Sequence, residues 1–215
     1  MAGGEACGQI EGRPMRVAFY CQSGGDHLAL AHKLIESVNK AMPGTEIWHL
    51  TNESCPAVEG TVTKRLPDDL PMGVRRIQHY SELEGDWLLL DSDVIVQKDV
   101  RCIFNGPVEI AVVSRKGTVL EGSDYEKRFP YNFGVVFSRC PKFWNEALAT
   151  LKRAPRELQE WEGEQLVLGY LADRGGYRVA YLPSSYNWTP ESPDEDVTGK
   201  HIVHYKGHRK KWLLA

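Results

Sequence analysis

The sequence has no apolar run approaching the roughly 20 residues of a membrane-spanning helix, and its first residues carry no signal-peptide core. It also has no basic excess. The formal net charge of -3 argues against a broad nucleic-acid-binding face, because neutralising phosphates takes a surplus of lysine and arginine. No Cys-x-x-Cys pair occurs. The five cysteines, Cys7, Cys21, Cys55, Cys102 and Cys140, are odd in number and widely spaced. They read as reduced thiols, so the expected location is the cytoplasm. Repeats, low-complexity blocks and linkers are missing too. What is present, 42% hydrophobic and 26% charged over 215 residues, is the balance of an ordinary globule long enough for one full core. A single domain over residues 14–215 is expected. Residues 1–13 stand apart: Ile10-Glu11-Gly12-Arg13 spells a protease recognition site, although Pro14 after it would hinder cleavage. They read as a leader.

Strand and helix patterns alternate along the chain. Residues 16–21 are an apolar strand, followed by Gln22-Ser23-Gly24-Gly25-Asp26 and a helical spacing of Leu28, Leu30, Leu34, Ile35 and Val38 up to Met42. This strand, Gly-rich turn and helix open a βαβ unit. The glycines let backbone approach a ligand, and the helix start offers free N–H groups to an anion. The turn lacks the Gly-x-Gly-x-x-Gly of a dinucleotide site. Further strands are expected at 45–50, 61–66, 87–91, 108–113, 131–137, 177–182 and 201–205. Helices are expected at 72–83, 141–152 and 156–174, with one helical turn at 99–104. Residues 114–130 read as a long polar loop, and loops of that length are usually functional or disordered. The alternation predicts an α/β sandwich around a mainly parallel sheet.

The strand at 87–91 carries the chemistry. Trp87-Leu88-Leu89-Leu90 drives toward Asp91-Ser92-Asp93, and Val94-Ile95-Val96 follows. Open α/β folds place ligands at the C-terminal rim of the sheet. The run continues extended through Val96, so alternation puts both carboxylates on one side and Ser92 on the other. Carboxylates that close repel each other unless a cation lies between them or one keeps its proton; a solvated strand end is the plain alternative. Hard oxygens select Mg²⁺ or Mn²⁺, and an added imidazole, for which His204 is the candidate, tilts the choice toward Mn²⁺. Opposite charge clusters in the tail, at Lys206, Arg209, Lys210 and Lys211, beside Gly207. This reads either as a solvated basic terminus or as a lid over a diphosphate. Arg75 and Arg76 are a second phosphate clamp, but helix neighbours point apart, so at most one is expected to serve.

Five motifs occur in order: Asp91-Ser92-Asp93, Asn132-Phe133-Gly134-Val135, Glu164-Gln165, Leu182-Pro183 with Tyr186-Asn187-Trp188, and His204-Tyr205-Lys206-Gly207-His208-Arg209-Lys210-Lys211-Trp212. This order resembles the glycogenin-like (family 8) glycosyltransferases of the GT-A fold. Their pattern is Asp-x-Asp, Phe-Asn-Ser/Thr-Gly, Asp-Gln and His-Phe-x-Gly-x-x-Lys-Pro-Trp. The resemblance covers residues 16–212. It implies a single-domain GT-A fold and transfer of a hexose from a nucleotide-diphosphate sugar, expected to be a UDP-sugar, to a sugar, lipid or protein acceptor with retention. It implies that Asp91, Asp93 and His204 bind Mn²⁺ or Mg²⁺, that Gly207, Lys210, Ser92 and Arg75 or Arg76 meet the phosphates, and that Cys21, Gln22, Ser23 and Asp26 meet the base and ribose. Asn132, Gln165 and Glu164 then form the catalytic end near sugar and acceptor. Phe133, Glu164, Tyr205 and Lys211 depart from the pattern. Two rival readings are a haloacid-dehalogenase-type phosphatase, whose first Asp is a nucleophile, and a non-catalytic nucleotide-sugar-binding module.

Overall fold

A computed structural model describes residues 14–22, 24–116, 118 and 121–214. The leader and Ser23 lie outside that set. The strands are β1 (Arg16–Tyr20), β2 (Ile47–Asn52), β3 (Val62–Leu66), β4 (Trp87–Asp91), β5 (Val94–Val96), β6 (Ile110–Ser114), β7 (Tyr131–Ser138), β8 (Val179–Leu182) and β9 (Ile202–His204). The helices are α1 (His27–Ala41), α2 (Met72–Ser81), α3 (Asp124–Arg128), α4 (Pro141–Arg153), α5 (Trp161–Arg174) and α6 (Lys210–Leu214).

Seven strands form one sheet in the order β3-β2-β1-β4-β7-β6-β8. All neighbours run parallel except β7, which is antiparallel to both β4 and β6. Reversal of β7 brings its first residues to the rim where the parallel strands end. Each face of the sheet is covered. Leu88 and Leu90 pack with α1 residues Leu34 and Val38 on one side. Trp87 and Leu89 pack on the other with Ile77 of α2, Phe143 and Trp144 of α4, and Leu168 of α5. Burial on both faces is why β4 reads as an unbroken apolar run rather than an alternating one. Among the described residues no helix is long and apolar enough to cross a membrane, and Cys21, Cys55 and Cys140 are free thiols.

Three sequence expectations need correction. The run 87–96 is not one strand: the chain turns at Ser92–Asp93, and β5 leaves the main sheet to pair antiparallel with β9, setting Val94 opposite His204. Helix 156–174 is broken into a 3-10 turn, Arg156–Leu158, and α5. Gly163 marks the break, since a Cβ there would collide with the Leu158 carbonyl. The polar loop 114–130 contains α3, whose Ser123 hydroxyl accepts from Glu126 N–H at 3.1 Å. Acidic residues occupy its first turn and basic ones its last, as the helix dipole favours.

Candidate active site

Strand parity decides where Asp91 goes. It shares a face with Trp87 and Leu89, the side of the sheet covered by α2 and α5. There Arg76 of α2 donates to Asp91 Oδ1 at 2.8 Å. The same guanidinium forms a bidentate pair with Glu164 of α5, Nε to Oε2 at 2.9 Å and Nη2 to Oε1 at 2.5 Å. Asp93 reaches the same place by the turn, not by strand alternation. Tyr205 N–H donates to its carbonyl at 2.9 Å, which ties the turn to β9. His204 Nε2 then lies 3.0 Å from Asp93 Oδ1 and 3.6 Å from Asp91 Oδ2, and the three donor groups fall within 4.8 Å of one another.

The hydrogen-bond network sets the imidazole's tautomer. Asn187 Nδ2 donates to the Asn132 carbonyl at 3.2 Å, so its Oδ1 is the atom facing His204 Nδ1 at 3.0 Å. An amide oxygen can only accept, hence Nδ1 carries a proton. Nε2 faces the two carboxylates: as a cation the ring donates to them, and as a neutral ring it aims a lone pair at them. The lone-pair form needs a positive charge among the three groups, and two hard oxygens with one imidazole suit Mn²⁺ or Mg²⁺. Gly134 of β7 keeps the space open: a Cβ there would overlap His204 Cε1 and come within 2.5 Å of Asp91 Oδ2. Gly134→Ala is therefore expected to displace one or both ligands and weaken metal affinity, with an overpacking cost of about 1–3 kcal/mol. Mn²⁺ titration calorimetry on the folded variant checks this; wild-type affinity would refute it.

Charge and burial compete here. Burial raises the Asp93 carboxyl, but His204 and Lys210, whose Nζ is 3.3 Å from Oδ2, outweigh it and hold the group well below the usual carboxylate range. For Glu164 the balance reverses. Burial is the larger effect and pushes it up to about 7 against the pull of Arg76, which divides its charge between two carboxylates. Burial also opposes the Arg76 cation, yet Glu164 and Asp91 together keep it more firmly protonated than usual. Lys206 is lowered to about 7 by burial and by Arg115, and the Cys21 thiol is raised to about 12 chiefly by burial.

These groups line a cleft of about 700 Å³ on the C-terminal rim. Cys21, Gln22, Arg76, Asp91, Ser92, Asp93, Asn132, Gln165, His204, Gly207 and Lys210 all face it. Strand alternation alone would turn Ser92 away, whereas the resemblance placed it among the phosphate contacts; the turn at 92–93 brings it to the cleft wall. Three other predicted residues, Arg75, Asp26 and Glu164, do not line the cleft. Arg75 bonds the carbonyls of Pro67, Asp68 and Leu70 at 3.0, 2.6 and 2.7 Å, besides Tyr20 and Gln22 at 3.3 Å. Its donors brace the loop before α2, and only Arg76 lines the cleft. Asp26 is exposed ahead of α1, leaving Gly24, Gly25 and His27 on the wall. Glu164 is 1% exposed and closed off behind Arg76. The cleft also contains Met72, Arg115, Tyr125 and Trp161, which the sequence reading did not assign. Arg115 had a signal, since it follows an apolar strand much as Asp91 does. The others come from helix starts that only packing brings to the rim.

No family model and no curated protein matches the sequence. Solved structures do. The galactosyltransferase LgtC in complex with donor and acceptor sugar analogues is 16% identical, with 90% of this chain and 87% of that chain covered and a TM-score of 0.61. A glycosyltransferase involved in glycosylating the major capsid of PBCV-1 is 16% identical, with 93% and 100% covered and a TM-score of 0.61. The glycosyltransferase GlyE of Streptococcus pneumoniae TIGR4 is 17% identical at a TM-score of 0.62, with 93% of this chain but only 60% of GlyE covered. The protein has the GT-A fold. Within that fold the cleft lies where β1, β4 and β6 end and β7 begins, with the Asp91–Asp93–His204 cluster on the β4 side and Arg115 on the β6 side.

Proposed function

We propose that this protein is a glycosyltransferase of the glycogenin-like family 8 kind, moving a hexose from a UDP-sugar to a sugar, lipid or protein acceptor with retention. The observation that carries this reading is the convergence of Asp91, Asp93 and His204, from distant parts of the chain, beside Lys210 and Gly207. Those three side chains would hold Mn²⁺ or Mg²⁺. When bound, such an ion supplies positive charge against the negative charge that develops on a departing diphosphate.

The remaining work falls to the chain itself. Lys210 sits where it can neutralise phosphate oxygens while keeping Asp93 ionised. Gly207, at φ 61°, takes a left-handed turn that brings backbone to the cleft without a side chain in the way. Arg76 fixes Asp91, and Glu164 fixes Arg76. Asn132 and Gln165 line the same cleft and are suited to holding sugar hydroxyls. Gln22 and the Gly24-Gly25 turn offer polar backbone to a nucleoside. Acceptor choice is assigned to residues 114–130 and 183–198, because loops on a rigid scaffold vary freely. The GT-A topology favours this reading over a phosphatase, and the cytoplasm remains the proposed location.

A thermal-shift screen of UDP-sugars with and without Mn²⁺, followed by assay of sugar release, tests the proposal. Stabilisation only when metal and UDP-sugar are both present, followed by release or transfer, is expected. Stabilisation without turnover would point to a binding module, and turnover of simple phosphate esters to a phosphatase. Lys210→Ala is expected to weaken UDP binding about tenfold or more, the worth of one charge-assisted contact. Equal affinity by calorimetry would remove Lys210 from the phosphate site.

A further inference from the structure

The cations of the cleft are not equally satisfied. Arg76 is paired with Asp91 and Glu164, and Lys210 with Asp93. Among the described residues, no carboxylate pairs with Arg115 or Lys206. Arg115 is only 6% exposed, and burying a guanidinium without a counter-charge is costly. Its placement is nonetheless well defined. Its backbone N–H donates to the Pro130 carbonyl at 2.8 Å, Nε donates to the Phe129 carbonyl at 2.8 Å, and the guanidinium lies 5.0 Å from the Tyr125 ring centroid. One edge is held by protein; among the described residues the Nη edge has no hydrogen-bond partner, and the residue lines the cleft. A planar fork presented in this way matches the two oxygens of a carboxylate or phosphate.

Position decides which part of a ligand it would meet. Arg115 follows β6, two strands from β4 across β7, so about 10 Å separates its backbone from that of Asp91 at the usual strand spacing. Asn132 and Gly134 of β7 lie between. With a phosphate held at the Asp91–Asp93 end, Arg115 lies on the β6 side of the cleft, toward the part of the ligand beyond the phosphates.

We infer that Arg115, with Lys206 beside it, is a specificity site for a negatively charged substituent, a carboxylate or phosphate ester, on a sugar bound in the cleft. The inference rests on the transferase reading for what occupies the neighbouring metal side. The anionic sugar could be donor or acceptor, and the test separates them. In one arm, calorimetry with Mn²⁺ compares UDP-glucuronate with UDP-glucose. In the other, protein saturated with UDP and Mn²⁺ is titrated with methyl glucuronide, glucose 6-phosphate and methyl glucoside.

In at least one arm the anionic sugar is expected to bind about tenfold or more tightly than its neutral counterpart. Arg115→Gln should bring that ratio close to one, and Arg115→Lys should retain part of it. Because the ratio in the unaltered protein is itself diagnostic, a variant that fails to fold does not spoil the test. UDP binding with no anionic preference in either arm overturns the Arg115 site and leaves the transferase reading standing. Absence of UDP binding together with Arg115-dependent capture of the glucuronide or sugar phosphate does the reverse. Absence of all binding overturns both.

Discussion

Asp93→Ala or His204→Ala is expected to lower metal-dependent turnover of a UDP-sugar by on the order of 10³-fold, the scale seen when one preorganised electrostatic group is lost from a transition-state site. Each change removes one of the three donors that, among the described residues, converge within 4.8 Å of one another. Losing Asp93 also frees Lys210, so metal and phosphate sites fail together. Asn187→Ala should have a smaller effect, about 10- to 100-fold in metal affinity, because it releases the imidazole's orientation without removing a ligand. Mn²⁺ titrations read beside turnover separate these effects. If Asp93→Ala and His204→Ala kept both metal affinity and turnover while remaining folded, the proposed site would be wrong.

The second large effect is on stability. Arg76→Met leaves Glu164 buried with no counter-charge, and breaking one side of a buried ion pair costs about 3–5 kcal/mol. The loss should depend on pH with a definite sign. Burial already lifts Glu164 to about 7 in the folded protein, and removing the guanidinium lifts it further, whereas the unfolded carboxyl titrates near pH ~4.3. Above that pH the folded state holds a proton that the unfolded state gives up. The variant's stability therefore falls as pH rises from about 5 to 8. Urea unfolding at the two pH values should show the larger deficit at pH 8, and Arg76→Met combined with Glu164→Gln should recover much of it. A deficit equal at both pH values, or no recovery in the double variant, would mean that Glu164 is not the group responsible.

Legibility from sequence differed by residue, for physical reasons. Leu88-Leu89-Leu90 reads as a buried strand because burial on both faces leaves a continuous apolar run. The carboxylates after it mark the rim because a strand must end somewhere polar. Asp93 was placed near Asp91 for the wrong reason: periodicity assumes an uninterrupted strand, and the turn at Ser92–Asp93 is stabilised by β9, far along the chain. Arg75 and Arg76 were equivalent as letters. Only packing gives Arg75 to the carbonyls of Pro67, Asp68 and Leu70 and turns Arg76 toward Asp91. Glu164, read as facing a ligand, is covered because α5 packs against α2, a contact with no signature in local spacing.

By itself the sequence determined the alternation of strands and helices, the strand end bearing two aspartates, and the basic tail with its histidine and glycine, since hydrophobic periodicity and motif order are properties of neighbouring residues. The tertiary structure alone decided that β5 pairs with β9 and brings His204 to those aspartates, that Arg76 links Asp91 to Glu164, and that Arg115 is buried with no carboxylate paired to it among the described residues. These depend on which surfaces meet in space, and buried charges select partners by distance and desolvation, which no spacing along the chain records.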